Sequence, residues 1–191
     1  MRVGLLGGSF NPAHAGHLHV ARLARRRLRL DQVWLMVSPG NVLKPSAGMA
    51  PFARRLASAR ALADGRRILA TGIEAALGTR YSFDTVRALR RRFPRASFVW
   101  IMGADILEQL PRWQRWREIA RLVPFAIIPR GGHNLRVLSG RAARALRAGH
   151  RPDHAAPALP AAPLPAWAFL SVPRHPASAT AIRTARHGGP P

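Results

Sequence analysis

Residues 7–17, GGSFNPAHAGH, follow the apolar run Val3–Leu6 and lead into a helix-like stretch. A short apolar run that ends in paired glycines and gives way to a helix reads as the first strand, turn and helix of an α/β sheet. Gly7 and Gly8 let the backbone pass close to a ligand, with Ser9 and Phe10 completing the turn. Gly16 opens the helix, whose first amides and dipole attract an anion, so the turn is built as a phosphate site. Its spacing is neither that of a P-loop, GxxxxGK[ST], nor that of a GxGxxG dinucleotide turn. The distinguishing feature is His14 and His17, two imidazoles at the amino end of one helix with a glycine between them. Each can donate hydrogen bonds to phosphoryl oxygens. A metal site is the rival chemistry, but two histidines with no cysteine and no neighbouring carboxylate make a poor ligand set, and no metal ligand is assigned. His19 reads as scaffold.

Outward from this turn, strand-like and helix-like segments alternate. Strands are expected near 2–7, 32–37, 67–71, 97–102 and 124–128, and helices over 16–29, 50–63, 82–92 and 112–122. This order predicts one α/β domain with a Rossmann-like, doubly wound parallel sheet and helices on both faces. Ligands bind such sheets at the carboxyl ends of the strands, which is where the histidine turn falls. The stretch 151–165, RPDHAAPALPAAPLP, has no periodicity and reads as a mobile surface loop. A last strand is expected over about 166–172, the domain is expected to span 1–183, and residues 184–191 read as a disordered tail.

Composition narrows the function classes. With 191 residues and 48% hydrophobic content the chain can build a real core. It contains no cysteine, which excludes disulfides, thiolate metal sites and a cysteine nucleophile and fits a reducing compartment. No signal peptide pattern and no long apolar run appears, so a cytoplasmic protein without a membrane partner is expected. The formal charge of +23 invites a nucleic-acid reading. Its distribution argues against one: Lys44 is the single lysine among 31 basic residues, the arginine runs fall at helix ends, and aromatic residues do not interleave them. Anionic small ligands fit the charge better, and a homo-oligomer is left open.

The turn GGSFNPAHAGH resembles the GSFDPxHxGH signature of the HxGH nucleotidylyltransferases, and the chain as a whole is similar to the bacterial nicotinate-mononucleotide adenylyltransferase family. Asn11 stands where that signature has aspartate. Four further segments carry the resemblance. SPGNVLKP, 38–45, is similar to a proline-rich loop ending in lysine, which implies a phosphate role for Lys44. RYSFDTV, 80–86, resembles the segment beside the pyridine ring, implying Tyr81, Ser82 and Thr85 around that pocket. MGADILEQLPRWQRW, 102–116, resembles a GAD strand end followed by a tryptophan segment. Gly103 and Asp105 would then lie at the nucleotide, with Asp105 accepting from ribose hydroxyls or capping its helix, and Trp113 would stack on the pyridine ring. Trp113 and Trp116, three residues apart, are expected on one face of the helix over 112–122. SATAIR, 178–183, resembles the ISSTxIR motif and implies Ser178, Thr180 and Arg183 at the phosphates, with Ala179 in place of a serine.

The implied reaction is adenylyl transfer from ATP, with Mg²⁺ bridging its phosphates, to nicotinate mononucleotide. His14, His17, Lys44 and Arg183 would carry the charge neutralisation. Nicotinamide mononucleotide or phosphopantetheine as acceptor are the alternatives within the superfamily, and a basic nucleic-acid-binding protein is the alternative outside it.

Overall fold

The computed structural model describes residues 1–40, 48–129 and 135–171. The sequence expectations at Lys44 and over 178–183 and 184–191 lie outside these residues. The first half runs β1 (Arg2–Gly8), α1 (Ala15–Arg27), β2 (Gln32–Val37), α2 (Phe52–Leu62), β3 (Ile68–Thr71), α3 (Ile73–Ala76) and α4 (Ser82–Arg92). It continues through β4 (Ser97–Gly103), α5 (Ala104–Gln109), α6 (Trp116–Ala120), β5 (Phe125–Ile128), α7 (Arg141–Ala145), β6 (His150–Arg151) and β7 (Trp167–Phe169).

The strands form one seven-stranded sheet in the order β3-β2-β1-β4-β5-β7-β6, and every pairing is parallel. The central strands read as near-continuous apolar runs because both of their faces are covered. Alternation along each strand divides the core in two. Val3, Leu5, Trp34, Met36, Trp100 and Phe125 point to the side packed by α4, α5, α6 and α7. Leu6, Val33, Leu35, Ile101 and Ala126 point to the side packed by α1 and α2. The helix after β1 therefore lies on one face and the helix after β4 on the other. Neighbouring strands that send their chains to opposite faces open a crevice at their carboxyl ends, so the β1–β4 pair is the switch point of the sheet.

Two sequence expectations are corrected. The stretch 151–165 is not a mobile loop: Asp153–Ala161 is a 3-10 helix, with Ala156, Leu159 and Pro160 buried. Pro157 and Pro160 lack the amides an α-helix needs, which hid it from a search for a 3.6-residue period. A three-residue turn instead brings Ala156 and Leu159 onto one face against the sheet, and Asp153 is tied by an ion pair to Arg27 at the end of α1. The helix expected over 112–122 is broken. A 3-10 turn at Leu110–Arg112 is followed by Trp113 in extended backbone, Arg115 at φ 55° and a new helix from Trp116. The strand β6 was not foreseen, and α1 ends at Arg27 rather than 29.

Gly149 illustrates how tightly the far edge is fitted. A Cβ placed there would lie 2.3 Å from the backbone carbonyl oxygen of Pro165. Since backbone cannot swing aside as a side-chain end can, Gly149→Ala is expected to destabilise by roughly 1–3 kcal/mol. A shifted urea midpoint at constant slope would show it, and an unchanged midpoint would contradict it.

Candidate active site

The turn after β1 is shaped by a residue in an unusual conformation. Phe10 adopts φ 49°, in the left-handed region that non-glycine residues rarely enter. It gains burial in return: its ring is 1% exposed and packs among Leu6, Val20 and Ala21. The same ring lies 4.7 Å, centroid to centroid, from that of His17.

His14 is the N-cap of α1. Its Nδ1 accepts from the amide of Gly16 at 3.1 Å, and its own amide donates to Nδ1 of His17 at 3.2 Å. The two rings stand 3.9 Å apart. An imidazole nitrogen that accepts carries no proton, so this bonding pattern assigns both rings the tautomer with hydrogen on Nε2. Each is then a neutral donor at Nε2, held by its other nitrogen to the helix start. The amide of Gly16, one of the first amides of α1, donates to the His14 ring and fixes it at the helix start.

The carboxyl edge gathers several other predicted residues. Gly8 pairs with Val37 at the ends of β1 and β2. Gly103, buried, closes β4 and caps α5, and Asp105 lies half-buried in the first turn of that helix. Asp105 is thus not the cap, and its carboxylate sits where the helix dipole favours negative charge. The ring of Trp100 lies beside Gly7, 3.5 Å from where a Cβ would be. Trp113 meets Trp100 edge to face at 5.9 Å and 81°, and so joins the same edge, half-buried. Trp116 does not share a face with it and is 7% exposed in the core. The break between them has visible supports: Arg115 stacks on Phe83 of α4 with its guanidinium carbon 3.8 Å from the ring centre and forms an ion pair with Glu118. This contact ties the Trp113 segment to α4, whose amino end carries the remaining candidates.

Tyr81 is the exposed N-cap of α4 and Ser82 its half-buried first residue. Thr85 is fully buried, and its hydroxyl is engaged below the helix start rather than pointing outward. It lies 2.8 Å from the Thr79 hydroxyl, 3.2 Å from the Tyr81 carbonyl and 3.2 Å from Glu74 Oε1. Burial pushes the Glu74 carboxyl above its ordinary value, while the bond from Thr85 opposes the rise. A raised carboxyl favours the protonated form in the folded state. Ionised Glu74 therefore lowers stability above that raised value, and the penalty fades as pH falls toward the ordinary carboxylate range. Glu74→Gln, which keeps an acceptor for Thr85, is expected to melt higher than wild type at about pH 8, with the gain shrinking toward about pH 4. Melting curves across pH would check this; a lower melting temperature at the alkaline end would contradict it.

Sequence reasoning missed Arg55 altogether. It is 2% exposed and donates to four carbonyl oxygens: Ala50 from Nε at 2.8 Å, Ser9 and Ser38 from Nη1 at 2.7 and 2.8 Å, and Pro39 from Nη2 at 3.1 Å. Burial lowers its pKa from the ordinary arginine value. Asn11 works on the same neighbourhood: its Nδ2 donates to the Gly48 carbonyl at 3.0 Å and its Oδ1 accepts from the Ala50 amide at 3.1 Å. No signal in the sequence separates Arg55 from the other arginines of so basic a chain.

Among the described residues, no group of three or more histidine, cysteine, aspartate or glutamate side chains could hold a metal ion, and no helix is long and apolar enough to cross a membrane. The arrangement can present donors and a helix amino end to a chain of phosphates over the sheet edge, with an aromatic wall at Trp113.

Comparison with known proteins agrees with this chemistry. The family model for cytidylyltransferase-like proteins matches residues 5–185. A curated relative from Gluconobacter oxydans, named probable nicotinate-nucleotide adenylyltransferase, is 60% identical over 183 residues, covering 96% of this chain and 94% of its own. One from Methylorubrum extorquens with the same name is 55% identical over 184 residues, covering 96% and 100%. Among solved structures, the Plasmodium falciparum nicotinic acid mononucleotide adenylyltransferase complexed with NaAD superposes with a TM-score of 0.71 at 15% identity, covering 96% of this chain and 82% of that one. At that identity the likeness is one of fold.

Proposed function

Since the chain belongs to the cytidylyltransferase-like family, and within it to the nicotinate-nucleotide adenylyltransferases, we propose the following residue-level account of how it transfers the adenylyl group of ATP to nicotinate mononucleotide. A phosphate oxygen of the mononucleotide attacks the α-phosphorus of ATP. The new P–O bond forms as the bond to the β-phosphate bridging oxygen breaks, giving deamido-NAD and pyrophosphate. The attacking oxygen is already an anion near neutral pH, so neither a general base nor a covalent enzyme intermediate is needed. The enzyme's task is to hold the two substrates in line and to answer the charge that spreads over the phosphoryl oxygens.

The paired imidazoles carry this reading. Fixed through Nδ1 at the start of α1, His14 and His17 each offer an Nε2 donor, and neither has to be charged to do so. Gly7 and Gly8 admit the triphosphate close to the backbone, and Ser9 and the turn at Phe10 border it. Lys44, Ser178, Thr180 and Arg183 join them on the strength of the resemblance of their motifs. Gly103 and Asp105 serve the nucleotide ribose. Trp113, Tyr81 and Ser82 form the nicotinate side, with Thr85 supporting Tyr81 through its carbonyl. Mg²⁺ bound with ATP would supply further neutralisation of the phosphate charge, and no residue of this chain is assigned to hold it. The absence of cysteine fits residence in the reducing cytoplasm.

Pyrophosphate release from ATP and Mg²⁺ tests the account, run in parallel with nicotinate mononucleotide, nicotinamide mononucleotide and phosphopantetheine. Rapid release with the nicotinate acceptor alone is the expected result. Release with another acceptor would keep the imidazole chemistry and overturn the nicotinate side, and silence with all three would overturn both.

A further inference from the structure

We infer that Arg55 and Asn11 are positioning residues that lock the phosphate turn to the exit of β2 and to the start of α2, and so preform the ATP end of the site. The inference rests on the adenylyl-transfer reading above. Arg55 is buried, and among the described residues no carboxylate forms an ion pair with it. Its guanidinium spends its donors on main-chain oxygens from three separate segments: Ser9 in the turn, Ser38 and Pro39 after β2, and Ala50 before α2. Only a planar fork can reach four carbonyls arranged this way, since an ammonium is a compact point donor.

Asn11 closes the ring from the other side, using both halves of its amide. The peptide at Ala50 is gripped twice, its carbonyl by Arg55 and its amide by Asn11. Between the two gripped positions of the turn, Ser9 and Asn11, stands Phe10 in its left-handed conformation. Strained backbone persists where surrounding structure over-determines it, and these bonds supply that determination. His14, three residues beyond Asn11, starts α1 from the far end of the same turn.

Two variants probe the lock. Arg55→Lys keeps the charge and loses the fork. Asn11→Ala removes both the acceptor for the Ala50 amide and the donor to the Gly48 carbonyl. Each is examined as the full-length chain by hydrogen–deuterium exchange, with and without ATP, and by steady-state kinetics. Faster exchange in peptides covering 8–12 and 48–50 is expected, with loss of the protection that ATP brings to the turn. The KM for ATP is expected to rise about tenfold, the scale of one hydrogen bond to a charged group, while the KM for nicotinate mononucleotide changes little. If Arg55→Lys fails to fold, Asn11→Ala still carries the test. Unchanged exchange and unchanged ATP KM in the folded variants would overturn the inference. So would a parallel loss in kcat and in both KM values, because that marks general loosening rather than positioning. A wild-type chain inactive with every acceptor would overturn the parent reading, and the ATP-dependent exchange would then decide the lock by itself.

Discussion

His17→Ala is expected to lower kcat by roughly a hundred- to a thousandfold, the loss that follows removal of one preorganised donor to developing negative charge, about 2.7–4 kcal/mol. The expectation is specific to kcat. A donor aimed at charge that appears only as the α-phosphorus is attacked contributes little to ground-state binding, so both KM values should stay within a few-fold of wild type. The side chain also has a structural duty, because its Nδ1 accepts from the amide of His14. Loss of such a cap costs about 0.5–2 kcal/mol, and a modest drop in melting temperature should accompany the kinetic change. His17→Gln separates the two effects: its amide can restore a donor near the same place, and partial recovery of kcat is expected. Near-normal turnover by the alanine variant would remove His17 from the reaction.

Phe10→Ala is expected to destabilise the fold by about 3–5 kcal/mol, the range for emptying a buried aromatic site. That is a large part of the 5–15 kcal/mol that typically separates folded from unfolded chains. The ring is 1% exposed and forms the floor on which His17 rests. The alanine retains a Cβ and so retains the unfavourable φ, while the burial that offset it is gone. Catalysis should fall as well, even below the temperature where the variant unfolds, since His17 loses the surface that limits its tilt. Urea unfolding at constant slope measures the first effect and single-turnover kinetics the second. A destabilisation under about 1 kcal/mol would mean that other side chains fill the space, contrary to the packing described.

The part of this architecture that periodicity and punctuation can express was legible from the amino acids. β2 and α4 fall on their expected bounds, and β1 and β4 run one residue longer. The histidine pair stood out because no ordinary turn needs two imidazoles around a glycine. What escaped depended on partners distant in sequence. The 3-10 helix Asp153–Ala161 is held by the sheet face beneath it and by Arg27, neither of which a local window sees. Trp113 and Trp116 share helical spacing, yet Arg115 turns left-handed between them and stacks on Phe83, thirty-two residues away by number. Arg55 is the clearest case: in a chain whose arginine runs read as solvated helix ends, this one sits inside a nest of carbonyls, and only the fold brings those carbonyls together.

The order of the last three strands bears on how this polypeptide is made. β7 is inserted between β5 and β6, and β6 pairs with β7 alone among the described strands. On the ribosome, β5 therefore emerges with no neighbour on its outer side, and its Phe-Ala-Ile-Ile edge stays open until Trp167–Phe169 follow. Open apolar edges recruit other copies of themselves. A message cut short before Trp167 would still encode the whole histidine turn, yet β5 in its product would lack the strand that pairs with its outer edge.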